Sequence, residues 1–263
     1  MNDGRSRVGS LLLVGAVAGF LSGMLGVGGG IIMVPLLVGV LGFDQHRAHA
    51  SSLAAIVLIA ISAAVRFGAA GEVVWSVGLA LGVGGVVGST LGAHLMHRLS
   101  PDTLKLVFGV ILVLAGARLA LGGDEATGEV ASMVVSVVVG ILIGLVAGIA
   151  SGIAGIGGGV LMVPAMVLLL GMPQHAAEGT SLVAILFTAV AGTRVHLANR
   201  RVDLKQAAII GLGGVLSAQL GAALALDLSA TSLSRVFGVF VILIGGGDLI
   251  RLARKRQARG SVS

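Results

Sequence analysis

Residues Gly19–Pro35 read GFLSGMLGVGGGIIMVP, and residues Gly148–Pro164 read GIASGIAGIGGGVLMVP. The stretches lie 129 positions apart and agree at 10 of 17 positions. The same offset continues without a gap. Gly42 falls on Gly171, Gln45-His46 on Gln174-His175, Ser52-Leu53 on Ser181-Leu182, Gly92 on Gly221, and Phe108-Gly109 on Phe237-Gly238. The chain is a tandem duplication, and both copies lie in strongly apolar sequence.

Of the 263 residues, 56% are apolar and only 11% are charged. A soluble domain carries about 25% charged residues. So little charge cannot cover a water-soluble surface of this size, which makes the chain an all-α integral membrane protein in a lipid bilayer. The absence of cysteine excludes disulfides and thiolate metal sites. Basic residues outnumber acidic ones, 17 to 11. They sit in loops and at the C-terminus, where topology signals belong, so no nucleic-acid partner is expected. The 44 glycines let helices approach closely. With no tyrosine and one tryptophan, Trp75 is the best candidate for an interfacial anchor.

Arg5 and Arg7 precede an apolar run, and Ala16-Val17-Ala18 resembles a signal-peptide cleavage site. The matching segment near Val134–Gly148 lies mid-chain, which argues for a structural helix in both places.

Each half divides into five apolar segments: 8–24, 28–42, 48–67, 73–97 and 103–121, then 131–153, 157–171, 177–198, 205–226 and 231–252. The expected organisation is a first membrane repeat over 8–121, an extracytoplasmic connector over 122–130, a second repeat over 131–252 and a basic cytoplasmic tail over 253–263. At about 1.5 Å per residue, segment 28–42 reaches only about 22 Å, short of the roughly 30 Å hydrocarbon core. The first two segments of each half are therefore either a re-entrant hairpin with the glycines at its tip or two short tilted spans. The total is about eight to ten transmembrane segments.

Five crossings, or three plus a hairpin, are both odd, so the halves take opposite orientations. With the N-terminus in the cytoplasm, 14 of the 17 basic residues fall inside, leaving Arg66, Arg118 and Arg235 outside. The connector, with Asp124, Glu125 and Glu129 and no base, also falls outside. The expectation is two inverted-topology repeats in the cell membrane, with both termini cytoplasmic. A duplicated membrane unit interrupted by glycine and proline is the pattern of a secondary transporter whose substrate site lies between its halves.

The first candidate site elements are Gly28-Gly29-Gly30 and Gly157-Gly158-Gly159. Pro35 and Pro164 follow them, each lacking an N–H donor, and are read as helix breaks. Backbone groups freed inside a membrane must face protein, water or a ligand. A helix starting after such a break presents unpaired N–H groups and a positive dipole end, which suits an anion. Two breaks entering from opposite faces could meet near the midplane and clasp one small anion. The competing reading is that the glycines only permit tight helix packing.

Ser51-Ser52 and Thr180-Ser181 open the third segments. They are either helix caps or hydroxyl donors to an oxyanion. His46 and His175 occupy equivalent positions, and His49 corresponds to Glu178. His46, His175 and Glu178 are the candidates for a coupling proton. Arg66 and Arg194 lie late in the third segments and either snorkel or form an anion-attracting vestibule. Gln219, opposite Thr90 in the repeat, is a candidate for the path lining.

Ser22 and Ser151 precede glycine but lack the flanking pattern of serine hydrolases. No metal-ligand spacing and no P-loop is present. Neither catalytic residues, a metal nor a cofactor is expected. An anion channel with the same breaks remains the alternative to a permease.

The twin G-x-x-S-G-x-x-G-x-G-G-G-x-x-x-x-P motifs, each followed by a short helix and a Ser/Thr-Ser-Leu helix start, resemble the TauE/SafE-type sulfite exporters, also called the toluenesulfonate uptake permeases. The similarity spans Gly19 to about Gly245. It implies a multi-pass permease for sulfur-containing or organic anions such as sulfite, organosulfonates or sulfoacetate, with direction unspecified and a permease for a non-sulfur organic anion as a further alternative. One departure is Ala50-Ser51-Ser52 in the first copy against Gly179-Thr180-Ser181 in the second, which implies unequal half-sites.

Overall fold

The computed structural model describes residues 3–95, 101–122, 132–154, 158–198 and 202–260. Among the described residues all regular structure is helical. The first half holds α1 (Asp3–Leu25), α2 (Gly30–Gly39), α3 (Gln45–Ala69), α4 (Trp75–Leu95) and α5 (Pro101–Ala120). The second holds α6 (Met133–Ala154), α7 (Gly159–Leu170), α8 (Gln174–Ala198), α9 (Leu204–Asp227) and α10 (Ala230–Gly260). Seven of these, namely α1, α3, α4, α6, α8, α9 and α10, contain spans long and apolar enough to cross a membrane. On α9, Leu212, Leu216 and Leu220 form an exposed stripe at helical spacing, as a lipid-facing side requires. The chain is an all-α, multi-pass membrane protein. Its acidic connector residues and Gly157 lie outside the described residues.

The glycine-rich stretch turns the chain back on itself. Gly26 ends α1 in a left-handed conformation at φ 65°, packed against the backbone of Glu178. The chain then doubles back, and Gly30 starts α2 beside Ile56, halfway along α3. With 10 residues α2 spans only about 15 Å. Its exit at Phe43 lies under the guanidinium of Arg7, 5.8 Å from the ring centroid, so the hairpin closes on the face where α1 began. The second half repeats this: Gly159 starts α7 beside Ile185, halfway along α8. Ile56 and Ile185 are 129 positions apart, the repeat offset. Of the two readings of the short segments, this is the re-entrant one.

The prolines do not end helices. Pro35 and Pro164 sit inside α2 and α7, which run through them, so the interruption belongs to the glycines alone. Each proline costs its helix one donor, and the carbonyl left free lies within a short helix packed on its neighbours.

Two helix pairs form the frame. A side chain at Gly15, Gly19 or Gly23 of α1 would run into the backbone of Ile210, Gly214 or Ala218 on α9. Likewise Gly84, Gly88 and Gly92 of α4 abut Ile141, Leu145 and Ile149 on α6. Only glycine at every fourth position allows such backbone contact, and both pairs run parallel. Since α6 is the counterpart of α1 and α4 that of α9, the two seams are one contact made twice, each time across the halves. The counterparts α3 and α8 cross antiparallel, with Leu53 beside Gly192 and Phe67 beside Gly179. This accords with halves of opposite orientation.

An Arg47–Asp203 ion pair at 3.4 Å joins the starts of α3 and α9. A Lys255–Asp102 pair at 2.9 Å joins the end of α10 to the start of α5. Both helical termini therefore emerge at one end, here called the terminal face. Arg66, Arg118 and Arg235 lie at the other end. Trp75 is exposed at that other end, at the start of α4.

Candidate functional site

The two glycine breaks touch. A Cβ on Gly159 would meet the Cα of Val27 at 2.9 Å, so α2 and α7 begin from a common point and run to opposite faces. Their first N–H groups have no partner within the helix. Gly28, Gly30 and Gly158 open onto a cavity of about 460 Å³. From there it extends between α3, α4, α6 and α8 to His49 and His196, which stand near the terminal face, in the first turns of α3 and the last turn of α8.

The walls are apolar with a few hydroxyls. Ser89, Thr90, Ser151 and Thr188 line them. Ser89 and Thr90 donate to the carbonyl of Val86 at 3.0 and 2.9 Å, and Thr188 to that of Ile185 at 3.0 Å. Such hydroxyls can rotate to donate to a ligand. The rings of His49 and His196 meet edge to face, with centroids 5.8 Å apart.

The other side of the glycine contact is packed shut. Shifting each wall residue by the repeat offset gives its counterpart there. Thr188 becomes Ile59, Gly192 becomes Ala63, His196 becomes Phe67, Ser89 becomes Ala218, Ser151 becomes Ser22 and His49 becomes Glu178. All six counterparts are fully buried. Glu178 accepts a 2.8 Å hydrogen bond from Gln174 Nε2. Among the described residues access is thus one-sided, from the terminal face to the midpoint.

The residues expected to bind substrate divide accordingly. Gly28, Gly30 and Gly158 line the cavity, while Gly29 and Gly159 pack behind it. Gly29 is left-handed at φ 70°, whereas its counterpart Gly158 is right-handed at φ −61°. The hydroxyl pairs lie off the cavity wall. Ser52 Oγ donates to the carbonyl of His49 at 2.8 Å, and Ser51 is buried beside it. Thr180 Oγ1 accepts from the Val74 N–H at 3.0 Å, and Ser181 donates to the carbonyl of Gly26. Arg66 and Arg194 are exposed on the outer surface, as snorkelling side chains are. His46 is exposed, and His175 Nε2 lies 3.0 and 3.1 Å from the carbonyls of Ala225 and Leu228 at the α9–α10 corner. Gln219 donates to the carbonyl of Ser62 at 2.5 Å, whereas Thr90 reaches the cavity.

Ser89, Ser151, Thr188 and His196 were not expected at the site. Three of them carry a signal: Ser89, Thr188 and His196 are polar where the other copy is apolar.

A family model described as "Sulfite exporter TauE/SafE" matches residues 2–119 and 140–261. A "Probable membrane transporter protein" of Xylella fastidiosa strain Temecula1 is 32% identical over 241 residues, covering 88% of this chain and 90% of the relative. The "Probable membrane transporter protein YunE" of Bacillus subtilis is 28% identical over 258 residues, covering 89% and 94%. No solved structure gives a significant match.

Proposed function

Because the chain belongs to the TauE/SafE sulfite exporter family, a family of membrane transporters, we propose that it is a secondary permease carrying a small sulfur-containing anion by alternating access. Sulfite, organosulfonates and sulfoacetate are the substrate class. The observation that carries this reading is the one-sided cavity ending at two half-helix starts. Each dipole end favours an anion by about 0.3–1 kcal/mol, and by up to about 2 kcal/mol when partly buried. The hydroxyls of Ser89, Thr90, Ser151 and Thr188 add neutral donors suited to sulfonate oxygens.

Exchange of the open and sealed sides supplies the transport step. The sealed side is built from counterparts of the open wall, so the reverse state needs no new architecture, only inward movement of one set and outward movement of the other. Substrate contacts remain centred on Gly28, Gly30 and Gly158 throughout. On this reading the protein sits in the cell membrane with both termini cytoplasmic, so that the terminal face, and the cavity mouth with it, faces the cytoplasm.

Purified protein in liposomes tests this. Labelled sulfite or sulfoacetate should enter saturably, and unlabelled anion on the far side should accelerate it. A neutral sulfone should not compete. Linear, non-saturating flux would replace the permease with a channel, and equal competition by the sulfone would remove the anion site.

A further inference from the structure

An anion taken from water into a membrane needs compensating charge at its site. Among the described residues lining the cavity there is no arginine, lysine, aspartate or glutamate. The helix dipoles supply only partial charge. Two wall side chains can take up a proton and become cationic: His49, from the first half, and His196, from the second. They stand together where the cavity meets the terminal face, with their rings 5.8 Å apart.

Resting on the reading of this cavity as the anion site, we infer that the His49–His196 pair is its charge supply and takes up one proton with each anion bound. The bound unit is then a monoanion plus a proton, with no net charge. A second proton on the pair is opposed by the first at this separation, which sets the stoichiometry at one.

Among the described residues, the ionisable groups around the pair leave this role to it. His46 lies one turn away on α3 and is exposed. No ionisable residue occurs in α2, α6 or α7. From α4 comes only His94, in its last turn. From α9, Asp203 is engaged by Arg47 and Lys205 is exposed. From α1, Arg7 stacks on Phe43. On α8 itself Arg194 faces outward; α10 carries Arg235 at the opposite end and, in its last turns where it packs on α5, Asp248, Arg251, Arg254 and Lys255, the last held by Asp102.

The repeat makes the device directional. The counterparts of His49 and His196 on the sealed side are Glu178 and Phe67. An anion passed to that side leaves its cationic partner and meets a carboxyl group, which favours release.

Binding of propane-1-sulfonate and of sulfate tests the proposal, since neither changes charge between pH 5.5 and 8.5. For the wild-type protein, Kd should rise by about tenfold per pH unit on the alkaline side, the slope for one linked proton. His49→Gln and His196→Gln should each lower affinity at pH 5.5 and flatten that slope. His196→Arg should bind at every pH with no slope, because its charge is fixed. Thermal unfolding identifies variants that fold, and the arginine variant decides the matter if a glutamine variant does not. Binding by the wild type that is independent of pH would overturn the histidine role and leave the anion reading standing. Binding of neither anion at any pH would overturn the anion reading, and the proton pair with it.

Discussion

The hydroxyl of Ser181 donates to the carbonyl of Gly26, tying α8 to the turning point of the α1–α2 hairpin. The same hydroxyl lies 2.9 Å from the carbonyl of Glu178. This contact crosses between the halves on the sealed side, and we expect it to act as a latch. Ser181→Ala removes a bond worth about 1 kcal/mol, so the far side should open about fivefold more often. Labelling of a cysteine at Ala63 from the far side reports that shift, and an unchanged labelling rate would deny the latch.

One-sided access has its own signature. The chain contains no cysteine, so single-cysteine variants label without background. Thr188→Cys should react with a charged thiol reagent from the terminal face, and anionic substrate should slow that reaction. Its counterpart Ile59→Cys, fully buried, should react at least tenfold more slowly by the usual energetic cost of local opening. Equal rates would contradict a sealed side.

The two central glycines should fail differently. Gly29→Ala places a Cβ at positive φ and 2.8 Å from the carbonyl of Ala18, so it should destabilise the fold by about 1–3 kcal/mol. Gly158→Ala keeps a right-handed backbone and meets only the flexible end of Met162 at 3.0 Å. It should unfold at the wild-type temperature while its added methyl weakens transport. Thermal unfolding and liposome flux separate the two outcomes.

The frame predicts a third class of variant. Gly88→Val drives a side chain into the backbone of Leu145 and should prevent stable assembly. Gly246→Val meets nothing within 4 Å and should be neutral. Yield and melting temperature in detergent make the comparison.

Orientation is tested by reporters fused after Arg256 and near Glu125. The first should report cytoplasm and the second the outside. A cytoplasmic signal at Glu125 would overturn the assignment of faces.

The duplication, the helical membrane fold and the mid-membrane meeting of the glycine breaks were legible because each leaves a local mark: an offset, an apolar run, a Gly-Gly-Gly. The cavity wall was harder. Ser51, Ser52, Thr180 and Ser181 match well between copies and so drew attention, yet they lie behind the wall, hydrogen-bonding backbone or buried. His196 and Thr188 reach the wall through helix rotation and packing, which a repeat alignment does not encode. The wall mixes positions shared by the copies, such as Gly28, Gly30 and Ser151, with positions that differ, such as Thr188 and His196.

The crossed seams bear on how such a chain comes into being. Gly15 and its contact Ile210 are 195 residues apart. During synthesis α1 enters the bilayer with its glycine face bare, and its partner arrives only with the fourth helix of the second half. A lone first half would lack that partner too, unless it met another copy inserted the opposite way. Each half thus carries half of two seams, and it is the joining of both in one polypeptide that closes them.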